Sequence, residues 1–314
     1  MKHNRSAKDY LLLVLRGIAM GAVDVIPGVS GGTMALITGI YEELINSIKS
    51  FNASLISTLR KHGVSAAWDR INGFFLTAVI SGVLISIFSL VRLLSWLFDN
   101  HAMLIWAFFF GLILGSVFYV GSRIKNRNLP TWLLLIAGTA VAYYVTIATP
   151  ATGPDHLWYI FLAGSIAFCA MILPGISGAF ILVLLGKYEY MVNAVKDWNL
   201  MVITIFAAGG IAGIVAFSNV IGWLLRKYHN ATLAVLTGFM IGSLNKLWPW
   251  KEVLETRIGT TGEEIPVLER SILPSQYAAL YGESPQVFPV MVCALAGLAL
   301  ILTVMFLSRK IKKK

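Results

Sequence analysis

Two short phrases hold the residues of this chain best able to do chemistry: Pro27-Gly28-Val29-Ser30-Gly31 and Pro174-Gly175-Ile176-Ser177-Gly178. The likeness runs on. Gly39, Tyr41, Glu42 and Asn46 return as Gly186, Tyr188, Glu189 and Asn193, so residues 27–46 and 174–193 share eight of twenty positions. Proline lacks an amide hydrogen and clashes with the preceding helical turn, and glycine permits backbone closed to other residues. Each phrase therefore breaks a helix inside apolar surroundings. In each copy Ser-Gly precedes an apolar helical run, from Thr33 or Ala179 onwards, which places Ser30 and Ser177 near a helix N-cap. A helix N-terminus offers N–H groups and the positive end of the dipole, a setting for phosphate or carboxylate. The candidate anion-binding residues are Pro27, Gly28, Ser30, Gly31, Gly32 and Thr33, with Pro174, Gly175, Ser177 and Gly178. The plainer alternative is that Ser caps and Gly turns.

Four ionisable groups accompany the phrases. Arg16, about three turns earlier, could pair with a bound anion or snorkel to the surface. Asp24, just before Pro27, could carry a coupling proton or accept backbone N–H bonds at the corner; the aligned position in the second copy is Met171. Glu42 and Glu189 are further coupling-ion candidates, or solvated partners of headgroup-level tyrosines. The five histidines are scattered without metal or triad spacing, and neither a phosphate P-loop nor a nucleophile elbow is present. An enzyme, a metal site and a cofactor are therefore not expected. Cys169 and Cys293 read as small packing residues.

The elements that must position these groups are set by composition. Of 314 residues 57% are hydrophobic and 13% charged, where a soluble domain carries about 25% charged residues. Uncharged runs recur over 71–91, 102–122, 131–154, 157–186, 199–225, 230–245 and 287–308. A bilayer core about 30 Å thick needs about 20 helical residues. The expectation is an all-α polytopic membrane protein. The net charge of +10 then reflects loops that orient the chain and face anionic headgroups, not nucleic acid binding. The basic start, Lys2, Arg5 and Lys8, is read as mature protein because Arg16 and Asp24 interrupt the apolar run behind it. The nine tryptophans read as interfacial belts.

The repeat divides the single transmembrane domain, 1–314, into repeat one over 11–149 and repeat two over 157–308. Residues 11–46 are too short for two full spans and break near Pro27 into two pieces, roughly 24 Å each. Residues 47–70 read as an interfacial helix or linker. Spans follow at about 71–95, 101–122 and 130–149, then at 199–225, 231–247 and 287–308. Gly111 to Ser116 is echoed by Gly238 to Ser243, both small-xxx-small patterns. The polar excursion at 246–286 has six Glu against four Lys and Arg. If each broken segment enters and leaves on one side, 18 Lys and Arg share a face and seven the other, as the positive-inside rule prefers. Both termini are then cytoplasmic, the 246–286 connection is extracytoplasmic, and the halves are inverted. Each half is a re-entrant hairpin plus three spans, and inverted repeats with discontinuous helices near the midplane are the usual plan of secondary transporters.

Residues Gly17 to Thr33, GIAMGAVDVIPGVSGGT, with Gly39-Ile40-Tyr41-Glu42-Glu43-Leu44, resemble the polyprenyl-phosphate transporter family, formerly domain of unknown function 368. Leu173 to Gly178 and Gly186 to Glu189 resemble its second repeat. The resemblance implies a prokaryotic inner-membrane protein that flips undecaprenyl phosphate, the lipid carrier of cell-wall precursors, back to the cytoplasmic leaflet. It carries over onto the two Pro-Gly-x-Ser-Gly phrases, with Arg16 and Asp24 as extensions. Ala179 and Phe180 replace the doubled glycine and Thr, so the half-sites need not be equivalent. Two rivals fit parts of the pattern: a carrier or channel for a small soluble anion, and a membrane lipid-phosphate phosphatase.

Overall fold

The computed structural model describes residues 5–24, 30–151, 153–258 and 264–311. Pro27 and Gly28 lie outside the described residues. In chain order the elements are α1 (Ala7–Asp24), α2 (Gly31–Thr38), α3 (Tyr41–Lys49), α4 (Ala53–Arg70), α5 (Gly73–Gly121) and α6 (Leu129–Ile147). Then come α7 (Leu157–Ile172), α8 (Gly178–Leu184), α9 (Tyr188–Lys196), α10 (Leu200–Lys227) and α11 (His229–Ser243). Strands β1 (Lys251–Ile258) and β2 (Glu264–Ser271), then α12 (Pro274–Tyr281) and α13 (Val287–Ile311), complete the chain.

Lipid offers backbone groups no partner, so apolar chain becomes helix. Gly73–Leu90, Asn100–Gly121, α6 and α10 are each long and apolar enough to cross a membrane. Helix α11 has 15 residues and tightens into a 3-10 turn over Leu244–Leu247. The spans expected at 71–95 and 101–122 run on as one helix, α5, broken at His101 (φ −141°, ψ 36°). Phe88, Trp198 and Phe288 are about four-fifths exposed, which an aqueous surface would penalise and a lipid surface favours. The protein is a polytopic helical membrane protein.

Glycines set the helix crossings, and they do so twice over. A Cβ on Gly17 in α1 would meet the Val79 carbonyl in α5, and one on Gly82 the Val14 carbonyl. Gly164 of α7 and Gly209 of α10 stand against the Phe206 and Phe161 carbonyls in the same way. The second pair of crossings is exchanged between the halves. Gly111 of α5 abuts Ala294 of α13, whose Gly297 abuts Phe108. Gly238 of α11 abuts Leu135 of α6, whose Gly138 abuts Val235. Without side-chain bulk at these points the backbones approach closely, the small-residue packing that joins helices in lipid.

Each broken segment has more pieces than the sequence suggests. The piece after each phrase is itself broken, at Gly39 (φ 76°) and at Gly186 (φ 65°). The second of these breaks turns α8 against α9 by 108°. A left-handed glycine ends a helix because its amide can reach back to the last carbonyls without a Cβ penalty: the Gly39 N–H donates to Ala35 and Leu36. The chain then doubles back. Arg5, just before α1, pairs with Glu43 of α3 at 2.6 Å, and Tyr159 near the start of α7 donates its hydroxyl to the Leu185 carbonyl just past α8 at 3.2 Å.

The 246–286 connection is more structured than a polar loop. Strands β1 and β2 pair antiparallel with a register irregularity near Glu255. Trp248 and Trp250 donate their indole N–H groups to the carbonyls of Ile272 and Pro285, both at 2.8 Å. These two tryptophans are folded into the protein, whereas Trp96, Trp132, Trp158, Trp198 and Trp223 are exposed as belt residues.

Candidate functional site

The two phrases meet. Ser30 donates its hydroxyl to the Met171 carbonyl at 2.7 Å, and the Gly175 N–H donates to Thr33 Oγ1 at 3.0 Å. Gly32 lies against the same stretch: a Cβ there would be 2.9 Å from the Met171 carbonyl oxygen and closer still to that of Ile172. Gly175 takes φ +86°, and a Cβ on it would stand 2.8 Å from the Phe239 carbonyl and 2.9 Å from Ser243 Oγ of α11. Both demands together leave no L side chain that fits. Ser30, Thr33 and Ser177 are buried, as are Pro174 and Gly178.

The α2 N-terminus already holds an anion. Ser30 caps it, accepting the Gly32 N–H at 3.1 Å. Asp24 Oδ1 accepts the Gly31 N–H at 2.5 Å, and the Thr33 N–H donates to the Ser30 carbonyl at 2.8 Å. The first turn of α2, whose orphan donors could receive a phosphate oxygen, is thus closed by the protein's own carboxylate and hydroxyl. The second copy differs. Met171 stands where Asp24 does, and the Ser177 side chain makes no cap bond to α8. Helix α2 is buried from Gly31 through Ile37, while α8 is half-buried with Ala179 exposed. Helix α8 is therefore the less enclosed of the two.

The remaining sequence candidates lie elsewhere. Arg16 is about 12 Å along α1 from Asp24 and sits in the field of Arg5, Asp9 and Glu43 near the start of that helix. Glu42 is 64% exposed, with His229 Nδ1 at 4.0 Å. Glu189 is half-buried in the first turn of α9. Among the described residues no cluster of His, Cys, Asp or Glu could hold a metal ion.

Two features escaped sequence reading. Lys187, one of the seven Lys and Arg assigned to the extracytoplasmic side, is 2% exposed, paired with Asp155 and placed 5.1 Å from the Tyr190 ring centroid. Its aligned position in the first copy, Ile40, is equally buried, so the repeat signalled an enclosed site there. The other is a lysine pair under the hairpin. Lys246 and Lys251 both reach Glu269 Oε2, at 2.7 and 3.2 Å. Lys246 Nζ lies 5.0 Å from the Phe180 ring centroid in α8. Beside this end, α6 and α11 enclose an apolar hollow of about 620 Å³ lined by Leu135, Ile136, Thr139, Tyr143, Ile241 and Asn245.

Comparison with known proteins gives the family. Residues 20–265 match the family model described as undecaprenyl phosphate translocase-like. The chain is 44% identical over 294 residues to a polyprenyl-phosphate transporter of Vibrio cholerae, covering 94% of this chain and 96% of that one. It is 32% identical over 259 residues to a polyprenyl-phosphate transporter of Staphylococcus aureus, covering 75% and 85%. No solved structure matches the chain. The chain belongs to the undecaprenyl phosphate translocase-like family.

Proposed function

We propose that this member of the family is a lipid-carrier flippase that moves undecaprenyl phosphate from the outer to the cytoplasmic leaflet for reuse in cell-wall synthesis. The names of its relatives support the substrate class. The observation that carries the mechanism is the contact of Ser30 and Thr33 with Met171 and Gly175, which closes two broken helices on each other deep in an apolar body.

The two repeats are read as inverted. Supporting this, the Arg5–Glu43 pair returns the first broken segment to the end where α1 begins, and the Tyr159–Leu185 bond returns the second to the start of α7. An odd number of crossings between them turns the second half over, and the exchanged glycine crossings suit a pseudo-twofold axis. The positive-inside rule then places both termini in the cytoplasm.

In the mechanism the phosphate approaches along the less enclosed helix α8, whose Ser177 leaves its hydroxyl cap unmade. Rocking of one repeat against the other parts the corners, and the phosphate then displaces Asp24 from the α2 N-terminus. Ser30, Thr33 and the amides of Gly31 and Gly32 then face it. The prenyl tail stays in lipid, alongside the hollow between α6 and α11. A proton or other ion supplies direction, with Asp24, Glu42 and Glu189 as carriers.

The test is leaflet-resolved undecaprenyl phosphate in proteoliposomes with wild type and the Ser30→Ala, Ser177→Ala double variant. Fast transfer by wild type that is lost in the folded variant supports the flippase. Release of inorganic phosphate in the same vesicles would replace it with a phosphatase. Uptake of free phosphate without lipid transfer would replace it with a soluble-anion carrier.

A further inference from the structure

We propose that Lys246 and Lys251, held beneath the β1–β2 hairpin by the single carboxylate of Glu269, form a binding site for a phosphate monoester at the mouth of the α8 corner. The inference rests on the flippase reading for its place in transport, but its chemistry stands on the cluster itself.

Two ammonium groups and one carboxylate are enclosed together. The side chains of Lys246, Lys251 and Glu269 are 14, 8 and 19% exposed. Both lysines contact one oxygen, Glu269 Oε2, at 2.7 and 3.2 Å. Lys251 Nζ lies 4.3 Å from the Trp106 ring centroid and Lys246 Nζ 5.0 Å from that of Phe180. The rings ease the desolvation of the cations but bring no negative charge. Among the described residues one unit of positive charge is thus left over in a nearly closed site, an arrangement that costs stability unless an anion joins it. Glu252 with Arg270, a further charged pair of the hairpin, is matched within itself.

The geometry is fixed rather than fortuitous. Lys251 pairs with Ser271 across the ladder and Val253 with Glu269, so Lys251 and Glu269 lie diagonally on one face of the hairpin. Lys246 is held in the 3-10 turn, where the adjacent Asn245 donates to Thr146 Oγ1 at 2.8 Å and accepts from Ser271 Oγ at 2.9 Å. Trp248 and Trp250 fasten the hairpin to the helices. A phosphate dianion has the charge to satisfy both lysines, with Glu269 standing in for it when the site is empty. Phe180 is the third residue of α8, so an anion leaving Lys246 is already beside the first turn of that helix.

The site is tested by calorimetric titration of the full-length protein in detergent with inorganic phosphate and with farnesyl phosphate, farnesol being the control. Wild type should bind a phosphate, and the Lys246→Gln, Lys251→Gln double variant should bind it at least about tenfold more weakly, as expected for lost charge-assisted bonds. Glu269→Gln, which keeps both cations and removes their internal competitor, should bind more tightly. Farnesyl phosphate bound much better than inorganic phosphate marks a lipid headgroup site; equal binding marks one for free phosphate. Wild-type affinity in the double variant overturns the proposal. Should that variant not fold, unchanged or weaker binding by Glu269→Gln overturns it. The two readings fail separately: lysine-dependent binding without lipid transfer contradicts the flippase, and transfer indifferent to the lysines contradicts this site.

Discussion

The hydroxyl of Ser30 and the carbonyl of Met171, 141 residues apart in the chain, are 2.7 Å apart in the fold. Ser30 also caps α2 through the Gly32 N–H, so one side chain joins the start of one broken helix to the corner of the other. Closing the site and building the helix are the same act.

Ser30→Ala removes both bonds and leaves the Met171 carbonyl and the buried Gly32 amide without that partner. It should lower stability by about 1–3 kcal/mol, visible as a lower melting temperature in detergent. Ser177→Ala removes a hydroxyl that caps nothing and should change melting little. Equal effects at the two serines would contradict the asymmetry of the corners.

Gly175→Ala places a Cβ at positive φ and against the Phe239 carbonyl and Met240 Cα of α11. Backbone cannot yield as a flexible side chain can, so a loss of about 2 kcal/mol or more is expected, with transport falling too. Gly39→Ala meets only the φ penalty, since its Cβ would have open space, and should cost about 1 kcal/mol. Paired melting curves distinguish them.

Much of this was legible beforehand. Among the described residues hydropathy located the four helices long and apolar enough to cross a membrane, and the repeated Pro-Gly-x-Ser-Gly located the helix breaks, because composition and broken helices leave local marks. Gly39 and Gly186 carried a local mark as well, the left-handed glycine that ends a helix, and went unread beside the stronger Pro-Gly signal. The particular bonds that join the corners were not legible, since they depend on how α2 and α7 pack. Nor was the lysine pair. Lys251 and Glu269 are joined by strand register and Lys246 by a 3-10 turn, so charges counted one by one along 246–286 concealed a site.

Asp24 Oδ1 accepts the Gly31 N–H, a bond that an asparagine oxygen can also accept. Asp24→Asn should therefore fold, retain transfer in the absence of an ion gradient, and lose any acceleration by an imposed pH gradient. Acceleration that persists in the variant excludes Asp24 as the proton carrier and leaves Glu42 and Glu189 to test likewise.

Burial under the hairpin, with the charge of Lys246 nearby, lowers the Lys251 ammonium to about 8, against the opposing pull of Glu269. Among the described residues those two groups are the charges that face it, from the 3-10 turn and β2; Trp106 faces it from α5. Lys251 is charged below about pH 8 and loses its proton above it. A phosphate monoester becomes a dianion above about pH 6. Phosphate affinity should therefore peak between these limits and fall as pH rises through the upper one, because the site loses a cation there. Bound phosphate will itself favour the charged amine and move that limb upward. Affinity rising steadily to pH 10 would contradict the assignment.

The central claim is that the corners must part for the phosphate to pass. It is tested by leaflet-resolved undecaprenyl phosphate transfer in proteoliposomes of a Ser30→Cys, Met171→Cys variant in which Cys169 and Cys293 have been replaced. Transfer, slower than wild type because a thiol is a weaker hydrogen-bonding group than the Ser30 hydroxyl, should be measurable under reducing conditions, stop once the two new cysteines are crosslinked, and resume on reduction. Transfer at an undiminished rate through crosslinked protein would mean that the phosphate travels by another route and that the contact of Ser30 with Met171 is only architecture.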